Sequence, residues 1–125
     1  MLIPRGLHYT EEHVWLSLDG DVARLGATDY AQALLGTLTF VDLPAVGSSV
    51  TCGYSFTELE SADRVMELAS PVTGEVVAVN EELGAAPDAV NDDPYGAWII
   101  EVRLEEPSEL DELLSAAEYE DCCEE

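Results

Sequence analysis

Short β-prone runs, each cut off by a turn signal after only a few residues, are what most limit the folds open to this chain. Val14-Trp15-Leu16-Ser17-Leu18 and Val22-Ala23-Arg24-Leu25 flank Asp19-Gly20. An Asp-Gly pair between two such runs is a strong hairpin signal. Gly26 ends the second run, and Thr28-Asp29 can cap a short helix over Tyr30–Leu35 that Gly36 closes. Thr37–Leu43 is rich in β-formers and stops at Pro44. Ser55–Glu60 reads as a strand, with Phe56 facing away from Thr57 and Leu59. Ser61-Ala62-Asp63-Arg64 interrupts the pattern and Val65–Leu68 resumes it, which predicts a second hairpin with its tip near Asp63. Strands are expected over Glu75–Asn80 and Trp98–Leu104, with an irregular loop at Asn91–Pro94 between them.

The last quarter changes character. Ser108 stands three residues before Asp111, the spacing of a capping box, and Leu110, Leu113, Leu114 and Ala117 recur at helical intervals. Ser115 and Glu118 form a second candidate box opening a final helix. The reading is mainly β, roughly seven short strands with one inserted helix and a helical C-terminus. The 125 residues suit one domain, 1–125, with its core over about 7–119 and an acidic, cysteine-containing tail at 120–125.

Charge narrows the function classes. Twenty-seven acidic residues face four basic ones, all arginine: Arg5, Arg24, Arg64 and Arg103. At net −23 the chain repels phosphate backbones and anionic lipid surfaces, so neither nucleic acid nor membrane is an expected partner. No apolar run approaches the ~18 residues of a membrane helix. An odd number of cysteines, two of them adjacent, does not make a secreted disulfide framework. The expected compartment is a reducing cytoplasm.

Several segments taken together resemble the glycine cleavage system H-protein family, within the biotinyl/lipoyl-carrier group. They are Tyr9-Thr-Glu-Glu-His-Val-Trp15, Gly26-Ala-Thr-Asp-Tyr-Ala-Gln32, Leu34-Leu-Gly36 with Phe40-Val-Asp-Leu-Pro44, Glu60-Ser61, Ser70 to Asn80, Val90 to Tyr95 and Ser108 to Leu114. They occur in order from about Leu7 to Tyr119. The resemblance implies a flattened barrel-sandwich hybrid with a short inserted helix and C-terminal helices. It also implies a non-enzymatic carrier that meets a pyridoxal-phosphate decarboxylase, an aminomethyltransferase and a dihydrolipoyl dehydrogenase, and a prosthetic-group hairpin at residue 63. In the family that tip reads Glu-Ser-Val-Lys and the lysine bears lipoate; here it reads Glu60-Ser61-Ala62-Asp63, followed by Arg64.

The departure has a direct chemical consequence. Amide-linked lipoylation needs a primary amine to attack an activated acyl group. Asp63 offers a carboxylate, and a guanidinium such as that of Arg64 is not deprotonated in proteins and cannot substitute. All four basic residues are arginine, so no lysine exists to stand in. No cofactor is therefore expected, although lipoate belongs to the family. Asp63 then reads either as turn chemistry, its carboxylate capping nearby backbone amides, or as part of a binding knob with Glu60. The expected role is a docking, regulatory or scaffold module in glycine and one-carbon metabolism.

Cys122 and Cys123 carry the alternative. A vicinal pair on a terminal tail can replace the lost dithiol as a sulfur or redox carrier. It can also be small apolar filler, since free cysteine packs as a hydrophobe and the flanking acids are of the wrong sign for an activated thiol. Cys52, beside Gly53, reads as neutral filler in a turn. No metal site is expected from His8, His13 and the cysteines, since zinc centres need four patterned ligands. His13, Trp15 and Trp98 read as structural.

Overall fold

The computed structural model describes residues 2–123. Among these residues nine strands form two sheets. The larger contains β1 (His8–Tyr9), β2 (Val14–Asp19), β3 (Val22–Ala27), β5 (Ser49–Val50), β8 (Gly74–Val79) and β9 (Ile100–Leu104), in the order β1-β2-β3-β9-β8-β5. The smaller contains β4 (Leu38–Val41), β6 (Ser55–Ser61) and β7 (Val65–Ala69), in the order β4-β6-β7. Every pairing is antiparallel. This is the mainly β class read from the strand pattern, in the flattened barrel-sandwich arrangement that the resemblance implies.

The two sheets share one apolar core. Leu16, Leu25 and Val102 from the larger sheet meet Val41, Phe56, Leu59 and Leu68 from the smaller. Each such side chain contributes about 1.5–3 kcal/mol relative to exposure. The Asp19-Gly20 turn closes β2 on β3 with Asp19 opposite Val22, and Gly20 takes the left-handed φ of 64° that the tight turn demands. Helix α1 (Asp29–Leu35) is capped as its sequence predicts: the Ala31 N–H donates to Thr28 Oγ1 at 3.3 Å, and Gly36 ends it at φ 79°.

The alternation expected for Phe56 does not hold. A register shift between Ser55 and Thr57 marks a bulge, so Phe56 and Thr57 are both buried with Leu59. Two short helices, α2 (Glu82–Ala85) and α3 (Ala89–Asp92), stand between β8 and β9, and the end of α3 takes Asn91 and Asp92 out of the expected loop. Asn91 of α3 locks this region to its neighbours. Its Nδ2 donates to Gly36 O (2.8 Å) and Gln32 Oε1 (3.0 Å), and its Oδ1 accepts from the Leu38 N–H (2.8 Å). Trp98 lies outside the strand expected to contain it. Its ring instead packs beneath the Arg24 guanidinium, 4.9 Å from centroid to Cζ.

The C-terminal segment is not one helical run. Residues Pro107–Glu112 form a 3₁₀ turn that starts from Glu106 with no side-chain cap, because Pro107 occupies the first helical position and leaves Ser108 inside the turn. Glu109 then reaches across to β8's approach, accepting from the Thr73 N–H (2.6 Å) and Thr73 Oγ1 (2.8 Å). Leu114 is extended, exchanging backbone bonds with Tyr9. Helix α4 (Ala116–Cys123) begins only after Ser115, and there the capping box forms. The Glu118 N–H donates to Ser115 Oγ (3.2 Å) and the Ser115 N–H to Glu118 Oε1 (2.9 Å).

Three glycines separate close packing from open space. A Cβ on Gly26 would lie 2.5 Å from the Trp15 ring, and one on Gly74 only 2.0 Å from the Arg103 carbonyl oxygen, whereas Gly84 in α2 has nothing within 4 Å. We expect Gly26→Ala to cost at least about 2 kcal/mol and Gly74→Ala more, because backbone gives way less readily than a side chain. Gly84→Ala should be neutral or stabilising by up to about 1 kcal/mol. Urea denaturation of the three variants checks the order.

Candidate functional site

The hairpin of β6 and β7 puts residues 61–64 at its tip. The Ser61 N–H donates to the Arg64 carbonyl at 2.9 Å and closes the turn. No tip residue has positive φ, so the turn needs neither glycine nor a left-handed residue. Ala62, Asp63 and Arg64 are all exposed. Asp63 caps no backbone amide: among the described residues its carboxylate has no hydrogen-bond or ion-pair partner, and neither has the Arg64 guanidinium. The capping role expected for Asp63 is therefore not what the structure contains. Glu60 is apart from the tip, on the outward face between Phe40 and Val65. Among the described residues no histidine or cysteine is hydrogen-bonded to the tip, and none of Ser61, Ala62, Asp63 and Arg64 carries a primary amine.

The C-terminal cysteines lie in a helix, where Cys123 fits the reading as small apolar filler. Residues 120–123 belong to α4, which is anchored by Tyr119 rather than trailing as a tail. The Tyr119 ring is fully buried and stacks on Tyr9 at 4.9 Å with 7° between planes. Its hydroxyl lies 2.7 Å from Thr28 Oγ1 and 2.8 Å from His13 Nδ1. Burial pushes the Tyr119 and Tyr9 hydroxyls well above the usual phenol range. Cys123 packs against this aromatic cluster with Tyr95 and Trp98. Successive residues on a helix diverge by about 100°, so Cys122 and Cys123 do not present paired thiols while α4 is intact.

Cys52 is exposed rather than filler. It stands at the rim of a cleft of about 350 Å³ lined by Glu11, Glu12, Ser70, Glu112 and Leu113 among others, which no local sequence signal marks. Its thiol donates weakly to Pro71 O at 3.4 Å, and burial followed by the Glu109 carboxylate raises its pKa, so the thiolate is disfavoured. Among the described residues no three His, Cys, Asp or Glu side chains converge on a common metal position. His8 lies in β1, and His13 stacks at 4.5 Å on Tyr30. Trp15 is buried, its indole N–H donating to Pro94 O at 3.0 Å.

The described helices include none long and apolar enough to cross a membrane. A flattened β-sandwich carrying an exposed two-strand hairpin and closed by an aromatic-anchored C-terminal helix is a lipoyl-domain-like fold. The glycine cleavage H-protein family model matches residues 7–125. The H protein of Koribacter versatilis is 50% identical over 120 residues, covering 96% of this chain and 93% of that protein. That of Carboxydothermus hydrogenoformans is 45% identical over 125 residues, covering 99% and 96%. The crystal structure of a glycine cleavage system H protein from Mycobacterium marinum superposes with a TM-score of 0.90 at 37% identity, covering 98% of this chain and all of that one. The chain belongs to the glycine cleavage H-protein family, and with it to the non-catalytic members of that system.

His13 supplies a pH dependence. It holds a left-handed φ of 73°, and burial lowers its pKa, Glu12 opposing more weakly. Neutral imidazole can accept the Tyr119 proton at Nδ1; imidazolium cannot. With the folded pKa depressed, the unfolded chain binds more protons in that window, so this contribution is present above about pH 6.5 and lost as pH falls. We expect α4 in the wild type to lose hydrogen-exchange protection on acidification relative to His13→Asn, which tolerates the same backbone. Changes in carboxylate repulsion act on both proteins, so the difference isolates the imidazole.

Proposed function

We propose that this chain is an H-protein homologue that docks to components of the glycine cleavage system without carrying lipoate, acting as a regulatory or scaffold module. One observation carries the reading. The hairpin is built and projects its tip, yet the tip offers Ala62, Asp63 and Arg64, and the chain contains no lysine. The residues present do not fit an amide-linked lipoyl group, so no transfer step runs through this protein. Its partners are the decarboxylase, the aminomethyltransferase or the dihydrolipoyl dehydrogenase, met in the cytoplasm.

Membership of the family supports the docking half of this reading, and the missing amine supports the cargo-free half. The alternative, a sulfur or redox carrier on Cys122 and Cys123, gains no support from a pair fixed in the last turn of a docked helix. For a dithiol–disulfide carrier, that turn has to unwind before a disulfide forms across adjacent residues.

Competition distinguishes a docking module from a carrier. In a glycine cleavage assay reconstituted with a lipoylated H protein, added chain should inhibit, and excess lipoylated H protein should relieve the inhibition. Alone it should support no turnover. Turnover with this chain as the sole H protein contradicts the proposal, and so does the absence of inhibition at a large molar excess.

A further inference from the structure

We infer that the outward face of the β4-β6-β7 sheet is the docking surface, and that it takes a protein partner presenting an apolar patch rimmed by lysine or arginine. This rests on the docking reading above and adds where the contact lies and what the partner must offer.

Strand register assembles the face. Phe40 pairs with Glu60 and Glu60 with Val65, so these three side chains stand in one row. Both apolar members are left in water, Phe40 at 49% and Val65 at 60% exposure, although the opposite face of the same sheet buries Val41 and Leu59 almost completely. The next outward row is acidic. Glu58 stands directly opposite Glu67, and the Asp42 N–H donates to the Glu58 carbonyl at 2.9 Å, extending the pairing to a third carboxylate. Like charges directly opposed across strands are destabilising.

No ion pair among the described residues relieves that row. The ion pairs among the described residues are Arg24–Glu101 and Arg103–Glu75, both on the larger sheet. From the tip inward the face therefore runs Arg64, then an apolar row with Glu60 at its centre, then a row of three carboxylates. A second copy of this chain would bring like charge against like. Nucleic acid and anionic lipid are repelled for the same reason. A basic-rimmed apolar surface both covers Phe40 and Val65 and neutralises Glu58 and Glu67.

The test measures binding of the purified decarboxylase, aminomethyltransferase and dihydrolipoyl dehydrogenase of the same host to three proteins: wild type, Phe40→Ser/Val65→Ser and Glu67→Gln. All the altered side chains point to solvent, and circular dichroism confirms folding. The double variant should bind at least about tenfold more weakly, since truncated central apolar contacts dominate interfaces. Glu67→Gln should bind more weakly and with less salt dependence, yet melt at a higher temperature because its repulsion with Glu58 is gone. A merely structural role would move stability and binding together. Wild-type binding that the double variant retains overturns the inference and leaves the docking reading standing. No binding by the wild type to any of the three removes both. Self-association abolished by the same substitutions makes a second copy the occupant, which also overturns it.

Discussion

The inward ladder Val41–Leu59–Met66 fixes what this protein shows to its surroundings. Leu59 is fully buried and Val41 nearly so. A one-residue slip of β6 against either neighbour would therefore turn apolar side chains into solvent and carboxylates into the core. That constraint holds the hairpin in one register. The register in turn decides that Phe40, Glu60 and Val65 face outward and that residues 61–64 form the tip. The tip and the outward face are thus separable features of one sheet. The tip residues can change without disturbing the ladder that presents them.

The aromatic clamp does comparable work at the other end. Tyr119 enters a slot made by Tyr9, His13 and Thr28, satisfying its buried hydroxyl twice, and α4 follows from that contact more than from its own apolar pattern. The capping box from Ser115 to Glu118 starts the helix, and the Tyr9–Leu114 bridge positions it. The acidity has a different character. With net −23 and two ion pairs among the described residues, the fold carries repulsion that its core must offset. Glu58 opposite Glu67 concentrates that cost on one face.

Much of the fold was legible because its signals are local. Asp19-Gly20 marks the first hairpin, Thr28 and Gly36 bracket α1, and the interruption at Ser61–Arg64 marks the tip. The two-residue strands β1 and β5 were not legible, since they form only where a neighbour supplies the pairing. Nor were α2 and α3, each a single turn. The tail misled because helical spacing at Leu110, Leu113 and Leu114 falls across a 3₁₀ turn and an extended stretch, held by tertiary bonds from Glu109 and Tyr9. At the candidate site, the missing amine was plain in the sequence. The pairing of Phe40 with Val65 across Glu60 was not, because twenty-five residues separate them and only register joins them.

The hairpin tip holds no amine to acylate, and intact-mass spectrometry of the protein purified from its native host tests that most directly. The mass should equal that of the unmodified polypeptide, and should stay there after incubation with lipoate, ATP and a lipoyl ligase active on another H protein. A dithiolane-bearing acyl group attached covalently at any residue would contradict it.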